Sequence, residues 1–199
     1  MLTLYDYLPS GNGFKVRLLL RQLDRPFQLV ETDILAGATQ TPDFLALNPN
    51  GRIPVLVDGE TVLSESNAIL FYLAEGTAFL PDDRLGRARV LQWMFFEQYS
   101  HEPNIATVRH WLCHLGRSEE DPAVQDKRRA GYQALAVMER HLSDADFFVA
   151  DRYGIADIAL YAYSHVAHEG GFDLTGYPAV NRWLDRVRAQ PGYTAITER

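Results

Sequence analysis

Residues 48–69 read NPNGRIPVLVDGETVLSESNAI, and this stretch decides the fold. Its opening Asn-Pro-Asn-Gly cannot continue a helix and favours a turn. Two short apolar runs follow at 55–57 and 61–63, and their β-branched residues are typical of strands. The Asp-Gly pair at 58–59 suits a two-residue hairpin turn, or a slightly longer one. The stretch therefore predicts a turn, a β-hairpin and the start of a helix.

Pro54 stands where the first of these strands begins. A proline cannot donate to the sheet ladder, so it is confined to edges, strand starts and special bends. X-Pro bonds are the ones with an accessible cis form. If the Ile53-Pro54 bond is cis, the N–H and C=O of Ile53 turn away from the sheet and can pair with an extended peptide. This position is therefore a candidate peptide-binding edge.

A helix N-terminus is indicated where the hairpin ends, at Ser64, Glu65 and Ser66, because hydroxyls and acids are favoured there. The N–H groups of a helix start, with the positive end of its dipole, bind an anion such as a carboxylate. Glu65 beside them can pair with an ammonium group. Together they would recognise the amine and the carboxylate of one amino-acid end. With a peptide-binding edge alongside, this describes a site for a γ-glutamyl peptide.

The same stretch resembles the thioredoxin-like domain of the glutathione S-transferases. The resemblance lies in two spaced sets of residues, Asn48-Pro49-x-Gly51-x-Ile53-Pro54-x-Leu56 and Leu63-x-Glu65-Ser66-x-Ala68-Ile69. It implies an α+β thioredoxin-like domain followed by an all-α helical domain. It also implies that glutathione is bound as a co-substrate.

The rest of the chain fits this architecture. In the first domain the order β-α-β-α-β-β-α is predicted from the segments 2–5, 14–23, 27–32, 42–47, 54–63 and 64–75. Residues 79–83 read as a linker, and no strand pattern recurs from Leu85 on. Helices are predicted at 85–115 with an interruption near Pro103, at 122–142, from near Ile155, and at 178–189. We therefore predict a glutathione-binding domain at 1–77 and a helical domain at 85–199.

The second domain departs from the family pattern at one structural motif. Members of the family carry a Ser/Thr-x-x-Asp capping box there, whereas this chain has Gly154 at the cap. Asp157 keeps the reciprocal position, and Tyr153 and Ile158 are placed for a hydrophobic staple. Glycine costs only a few tenths of a kcal/mol relative to a hydroxyl cap, so we expect the helix to form.

Composition limits the classes of partner. The 199 residues are 47% apolar and 23% charged, as in ordinary globular proteins. The net charge of −7 argues against nucleic acid, because phosphate contacts need a basic surface. We expect no membrane association, since no apolar run is long enough to span a bilayer and residues 1–6 lack a signal pattern. The single cysteine, Cys113, fits a reducing compartment, so we predict a cytoplasmic protein.

The candidate catalytic residues are Ser10 and Asn12. Thioredoxins and glutaredoxins carry Cys-x-x-Cys after the first strand, where this chain reads Ser-Gly-Asn-Gly, so chemistry through a protein dithiol is excluded. The resemblance implies that the thiol of bound glutathione lies here, where donors and the helix dipole stabilise its thiolate. Serine-type classes use a Ser in this loop, and bacterial Nu-type members have Thr-Pro-Asn-Gly. A purely structural interpretation is that Ser10 caps the helix and Asn12 makes a turn contact.

The resemblance also places the remaining glutathione contacts. It implies that the Ile53 backbone at Pro54 meets the cysteinyl part, and that Glu65 and Ser66 hold the γ-glutamyl end. It further implies glycyl contacts from Arg52 and from Thr39 or Gln40. By itself Arg52 would be interpreted as a solvated surface charge, and Glu65 as a partner of the helix dipole.

The helical domain offers two further groups. Tyr99, Asn104 and Trp111 are candidates for lining an electrophile pocket, although most aromatic residues of this region fit core or dimer contacts. The cluster at 110–114 contains two His and one Cys, but no further partner has the spacing of a zinc site. We therefore predict no metal.

The sequence as a whole predicts a glutathione S-transferase. It would hold glutathione as thiolate for attack on a small apolar electrophile, and the family typically forms homodimers. A second hypothesis is a disulfide-bond oxidoreductase that uses two glutathiones and needs no enzyme cysteine. A third is a non-catalytic binding or regulatory scaffold with the same fold.

Overall fold

The computed structural model describes residues 1–198. These residues form two compact units, described separately below. One unit contains Met1–Thr77 together with the described residues from Pro191 on, and the other is Ala78–Gln190.

The first unit has the predicted thioredoxin-like order. Its elements are β1 (Leu2–Asp6), α1 (Gly11–Gln22), β2 (Phe27–Glu31), a 3₁₀ turn (Ala38–Gln40), α2 (Pro42–Leu47), β3 (Val55–Asp58), β4 (Thr61–Ser64) and α3 (Ser66–Ala74). The strand order in the sheet is β2-β1-β3-β4, with β1 parallel to β2 and β3 antiparallel to both of its neighbours. The predicted α+β fold class is confirmed.

The core of this unit lies between the sheet and two helices. Leu4 of β1 is paired with Leu56 of β3, and both side chains are fully buried. Helices α1 and α3 pack against each other. Phe14 of α1 and Ile69 of α3 are fully buried as well. The starts of the two helices are therefore positioned by a common apolar core.

Two element boundaries differ from the prediction. Helix α1 begins at Gly11 and not at residue 14, because Ser10 caps it and the glycines form its first turn. In the hairpin, Asp58 pairs with Thr61, so the turn is formed by 59–60, one residue later than predicted. Gly59 has a φ of +61°, a conformation that glycine adopts at no steric cost.

The end of the chain belongs to the first unit and not to the helical domain predicted at 85–199. Arg17 of α1 donates to the carbonyl of Ile196 at 3.0 Å and to that of Glu198 at 2.7 Å. The Arg17 side chain is almost completely buried. Arg17 thus ties the C-terminal segment to α1, which no local sequence pattern indicates.

The second unit is helical, as predicted. Its elements are α4 (Arg84–Phe96), a π-helical turn (Glu97–His101), α5 (Glu102–Cys113), α6 (Pro122–Leu142), α7 (Ile155–Ser164), a 3₁₀ turn (Ala167–Gly170) and α8 (Pro178–Arg188). The predicted interruption near Pro103 is the π-helical turn, and Pro103 lies in the first turn of α5, where its missing N–H is tolerated. In the part of the chain described, no helix combines the length and the apolar character needed to cross a membrane.

Gly154 replaces the Ser or Thr of the family's capping box for a steric reason. A Cβ at this position would lie 2.7 Å from the carbonyl oxygen of Phe79, which accepts a hydrogen bond from Ile155 at 3.1 Å. The carboxylate of Asp157 accepts from the Gly154 N–H at 3.0 Å, as predicted for the reciprocal half of the box. Close approach of the Phe79 backbone therefore requires glycine, and Asp157 caps α7 alone.

Asp157 is a hub of the second unit. Its carboxylate also accepts from the Phe148 N–H at 3.2 Å and from the Trp183 indole at 2.9 Å. It is completely buried, and this burial raises its pKa to about 7.

We expect Asp157→Ala to lower the free energy of unfolding by about 3 kcal/mol or more, since three buried donors lose their acceptor. Urea unfolding followed by tryptophan fluorescence measures this. The control is Asp185→Ala, because Asp185 is mostly exposed in its pair with Arg188 and its loss should change stability by at most about 0.5 kcal/mol. Equal losses in the two variants would contradict the proposed hub.

Candidate functional site at one edge of the sheet

The sheet topology brings the predicted site residues to one edge. Because β3 is antiparallel to β1 and β4, its first residue, Val55, pairs with Tyr5 near the end of β1 and with Ser64 at the end of β4. The loop to Ser10, the Ile53-Pro54 bond and the start of α3 are therefore attached to the same row of residues. This juxtaposition follows from the pairing alone.

Ser10 is the N-cap of α1. Its Oγ accepts from the Gly13 N–H at 3.4 Å, and its own N–H donates to the Tyr7 carbonyl at 2.7 Å. The predicted structural role is therefore present. While it accepts this hydrogen bond, the Ser10 hydroxyl can still donate to a ligand, because a hydroxyl combines one donor with two acceptor lone pairs.

Asn12 joins the starts of two helices. Its Oδ1 accepts from Lys15 Nζ at 2.9 Å and from Ser66 Oγ at 3.3 Å, and Lys15 Nζ also donates to Ser66 Oγ at 3.3 Å. Asn12 lies in the first turn of α1, and Ser66 is the first residue of α3. A three-membered polar cluster thus links the N-terminal ends of α1 and α3.

The start of α3 is strained. Glu65 has a φ of +68°, a region that residues other than glycine rarely adopt. Of the three residues at the predicted helix N-terminus, Ser64 ends β4, Glu65 occupies the N-cap position and Ser66 begins the helix, so no hydroxyl caps α3. The Glu65 side chain makes no cap hydrogen bond to this helix. Strain of this kind at a helix start is typical of binding sites.

The loop before β3 contacts the 3₁₀ turn. Gln40 Nε2 donates to the Gly51 carbonyl at 3.3 Å, and Asn48 Nδ2 donates to the Arg52 carbonyl at 2.7 Å. Arg52 and Gln40 are exposed, whereas Thr39 is buried. The structure therefore brings the predicted glycyl contacts, Gln40 and Arg52, to adjacent segments.

The Ile53-Pro54 peptide bond is cis. Pro54 is buried at the start of β3, and Ile53 is half-buried. Both residues lie beside the row of Tyr5, Val55 and Ser64.

A buried ion pair supports the loop that leads to Ser10. Asp6 lies 2.9 Å from Arg17, and Arg17 also donates to the Leu8 carbonyl at 2.6 Å. Burial raises the pKa of Asp6 to about 7, and the Arg17 charge opposes that rise. A Cβ on Gly13 would lie 1.5 Å from the Asp6 carboxylate, so this helical position requires glycine. No local sequence pattern indicates this ion pair.

Comparison with known proteins decides the family. The model "Glutathione S-transferase, N-terminal domain" matches residues 1–75, and "Glutathione S-transferase, C-terminal domain" matches 101–191. The disulfide-bond oxidoreductase YfcG of Escherichia coli is 32% identical, over 96% of this chain and 92% of that protein. The chain belongs to the glutathione S-transferase family. The predicted family, fold and enzyme class are confirmed at this level.

Solved structures of the glutathione S-transferase family agree. A glutathione S-transferase from Pseudomonas fluorescens Pf-5 is 48% identical, covers 99% of both chains and superposes with a TM-score of 0.96. A possible glutathione S-transferase from Rhodopseudomonas palustris is 50% identical with the same TM-score of 0.96, over 100% of this chain and 91% of that one.

The three predicted electrophile contacts lie in the helical unit of this transferase-family chain. Tyr99, in the π-helical turn, is 88% exposed. Asn104 donates to the Ser100 carbonyl at 2.7 Å, and the Trp111 ring packs under the guanidinium of Arg117 at 4.2 Å. The hydrogen bonds and ring contacts described for residues 1–198 do not join the three side chains to one another. Their shared role therefore stays a prediction.

The two histidines and the cysteine near the end of α5 make separate contacts. His110 and His114 rings lie 5.3 Å apart, and the Cys113 thiol donates to the Glu169 carbonyl at 3.6 Å. Burial lowers the pKa of His114, with a further contribution from His110. No group of three or more possible metal ligands occurs in the described residues.

We expect Gly51→Ala to lower the free energy of unfolding by about 2 kcal/mol. Its φ of +62° strains any other residue. The new Cβ would lie 2.6 Å from Gln40 Nε2, which must move and give up its hydrogen bond to the Gly51 carbonyl, and 3.3 Å from the Thr39 carbonyl oxygen. Gly59→Ala is the matched control, because Gly59 has nearly the same φ of +61° and a Cβ there meets no described atom within 4 Å. It should cost about 1 kcal/mol in the same urea titration. Equal costs would show that the contact between Gln40 and Gly51 is unimportant.

Proposed function

We propose that this protein binds glutathione at the sheet edge described above and holds it as thiolate for attack on a small apolar electrophile. The observation that carries the proposal is the hydrogen-bonded link between Asn12 and Ser66, at 3.3 Å. It joins a helix start with two candidate thiol donors to a second helix start suited to an amino-acid end. One γ-glutamyl peptide can therefore engage both.

The γ-glutamyl end is assigned to α3. The N–H groups of the first turn and the dipole favour its carboxylate, and the buried Ser66 is the first residue of that turn. Glu65 is exposed beside it and can pair with the amine. The strained φ of Glu65 supports a binding role, because such conformations persist where the surrounding structure requires them.

The other end of the peptide is assigned to the loop before β3. The backbone of Ile53 at Pro54 would pair with the cysteinyl part. Arg52, with Gln40 or Thr39, would meet the glycyl carboxylate, since an exposed guanidinium suits a carboxylate. The hydrogen bonds from Gln40 to the Gly51 carbonyl and from Asn48 to the Arg52 carbonyl support a common site.

The chemistry assigned to the site is activation of a thiol. The glutathione thiol releases its proton to solvent, and Ser10, Asn12 and the dipole of α1 stabilise the sulfur anion. The thiolate forms a carbon–sulfur bond with the electrophile, and the leaving group departs with the electron pair. The rate gain comes from the higher thiolate fraction and from holding both reactants together.

We expect at least one of the single variants Ser10→Ala and Asn12→Ala to raise the thiol pKa of bound glutathione towards the free value of about 8.5. Loss of one main donor should raise this thiol pKa by about one unit, which corresponds to about 1.4 kcal/mol. Ultraviolet thiolate absorbance of the complex across pH measures this.

Asn50→Ala is the matched control for this titration, because Asn50 is exposed and has no place in the proposed site. Saturable binding with an unshifted thiol pKa would instead support the non-catalytic scaffold. Failure of the wild-type protein to bind glutathione would contradict the proposed function altogether.

A second candidate, a glutathione-dependent disulfide-bond oxidoreductase, is favoured by the similarity to YfcG. One glutathione thiolate would attack a substrate disulfide, forming a mixed disulfide and releasing one substrate thiolate, which takes up a proton. A second glutathione would attack the mixed disulfide, releasing the other thiol and glutathione disulfide. This two-electron exchange needs no enzyme dithiol, consistent with the single Cys113.

Two partner assignments complete the proposal. A homodimer is expected from the family, and an apolar electrophile is expected from the predicted contacts at Tyr99, Asn104 and Trp111. Sedimentation equilibrium and a panel of electrophiles test these two assignments directly.

A further inference from the structure

We propose that Lys15 is a positioning residue for the thiol site. Its ammonium holds the carbonyl oxygen of Asn12, so that the NH₂ end of this amide is the end offered to the glutathione sulfur. The inference rests on the proposed function, and it assigns a role to a residue outside the predicted site.

Lys15 occupies an unusual place for a lysine. It lies on α1 three residues after Asn12, and its side chain is completely buried. Lysines are almost never fully buried without partners, because removing an ammonium group from water is costly. A lysine kept here therefore needs a specific set of acceptors.

The composition of the chain supports a specific role for a lysine at this position. Of its 19 basic residues only Lys15 and Lys127 are lysines, and the others are arginines. A guanidinium is planar and presents its donors in a rigid fork, whereas an ammonium is compact and has three rotatable donors. The small gap between Asn12 and Ser66 suits the ammonium.

The contacts of Lys15 fix the orientation of the Asn12 amide. An ammonium has three donors and no acceptor, so the amide atom 2.9 Å from Nζ must be the oxygen. Ser66 Oγ is consistent with this, because it accepts from Lys15 and donates to the same oxygen. In a planar amide the NH₂ group lies on the opposite arm. The cluster therefore selects the arm of Asn12 that can donate to a sulfur anion.

Positioning through Asn12 and a direct charge effect make different predictions. A nearby cation can also lower the pKa of a thiol without any intermediary. If Lys15 acts through Asn12, its effect on the thiol must disappear when Asn12 is absent. If its charge acts directly, the effects of the two residues add. A double-mutant cycle separates these cases.

The experiment is titration of the bound glutathione thiolate by ultraviolet absorbance in Lys15→Met, Asn12→Ala and the double variant. We expect Lys15→Met to lower the acid dissociation constant of the bound thiol about fivefold to tenfold while glutathione remains bound. In the Asn12→Ala background the same substitution should change this dissociation constant less than twofold. Lys15→Gln, whose amide can still donate to Asn12, should restore most of the loss. If Lys15→Met does not fold, Lys15→Ala, which also removes the donor to Asn12, takes its place in the cycle.

Lys127→Met is the matched control, because Lys127 donates to the Pro103 carbonyl at 2.7 Å in the second unit and should leave the thiol unchanged. Additive effects of Lys15→Met and Asn12→Ala would overturn the inference, as would bound glutathione with an unchanged thiol pKa in Lys15→Met. If Lys15→Met only made the protein less stable, the thiol pKa of bound glutathione would stay unchanged. Absence of binding by the wild-type protein is a different outcome, and it overturns the proposed function itself.

Discussion

The structure depends on the antiparallel pairing of β3 with both of its neighbours. That pairing places Tyr5, Val55 and Ser64 in one row, so the segments that follow β1 and β4 leave the sheet where β3 begins. A slip of one residue in either pair would turn the side chains of β3 to the other face and separate these segments. The candidate site is thus a consequence of register, and its residues need no proximity in sequence.

The same edge of the sheet carries buried charges and a strained backbone conformation, both of which oppose folding. Lys15 and Arg17 are buried on one helix, and Glu65 has a left-handed backbone conformation. Each of the two cations has named partners, since Arg17 contacts Asp6 and the C-terminal segment, and Lys15 contacts Asn12 and Ser66. Buried charges and strained residues of this kind concentrate at functional sites, because the surrounding structure must maintain them.

Much of the first unit could be predicted because its signals are local. Turn residues, strand pattern and the spacing around Pro54 and Glu65 define the hairpin and the helix start. Lys15 could not be found in this way, since a lysine inside a helical pattern is normally assigned to the solvent side. Its position three residues after Asn12, in a chain that otherwise uses arginine almost throughout, was the available signal. The attachment of the C-terminal segment to Arg17 depends on tertiary contacts between distant residues, which no periodicity encodes.

The most direct test of the central claim is a crystal structure of the protein with glutathione. We expect the sulfur within hydrogen-bond distance of Ser10 Oγ or Asn12 Nδ2, with the γ-glutamyl carboxylate at the first turn of α3. A peptide bound with its sulfur away from α1, or with its γ-glutamyl end away from Ser66, would contradict the proposed binding mode.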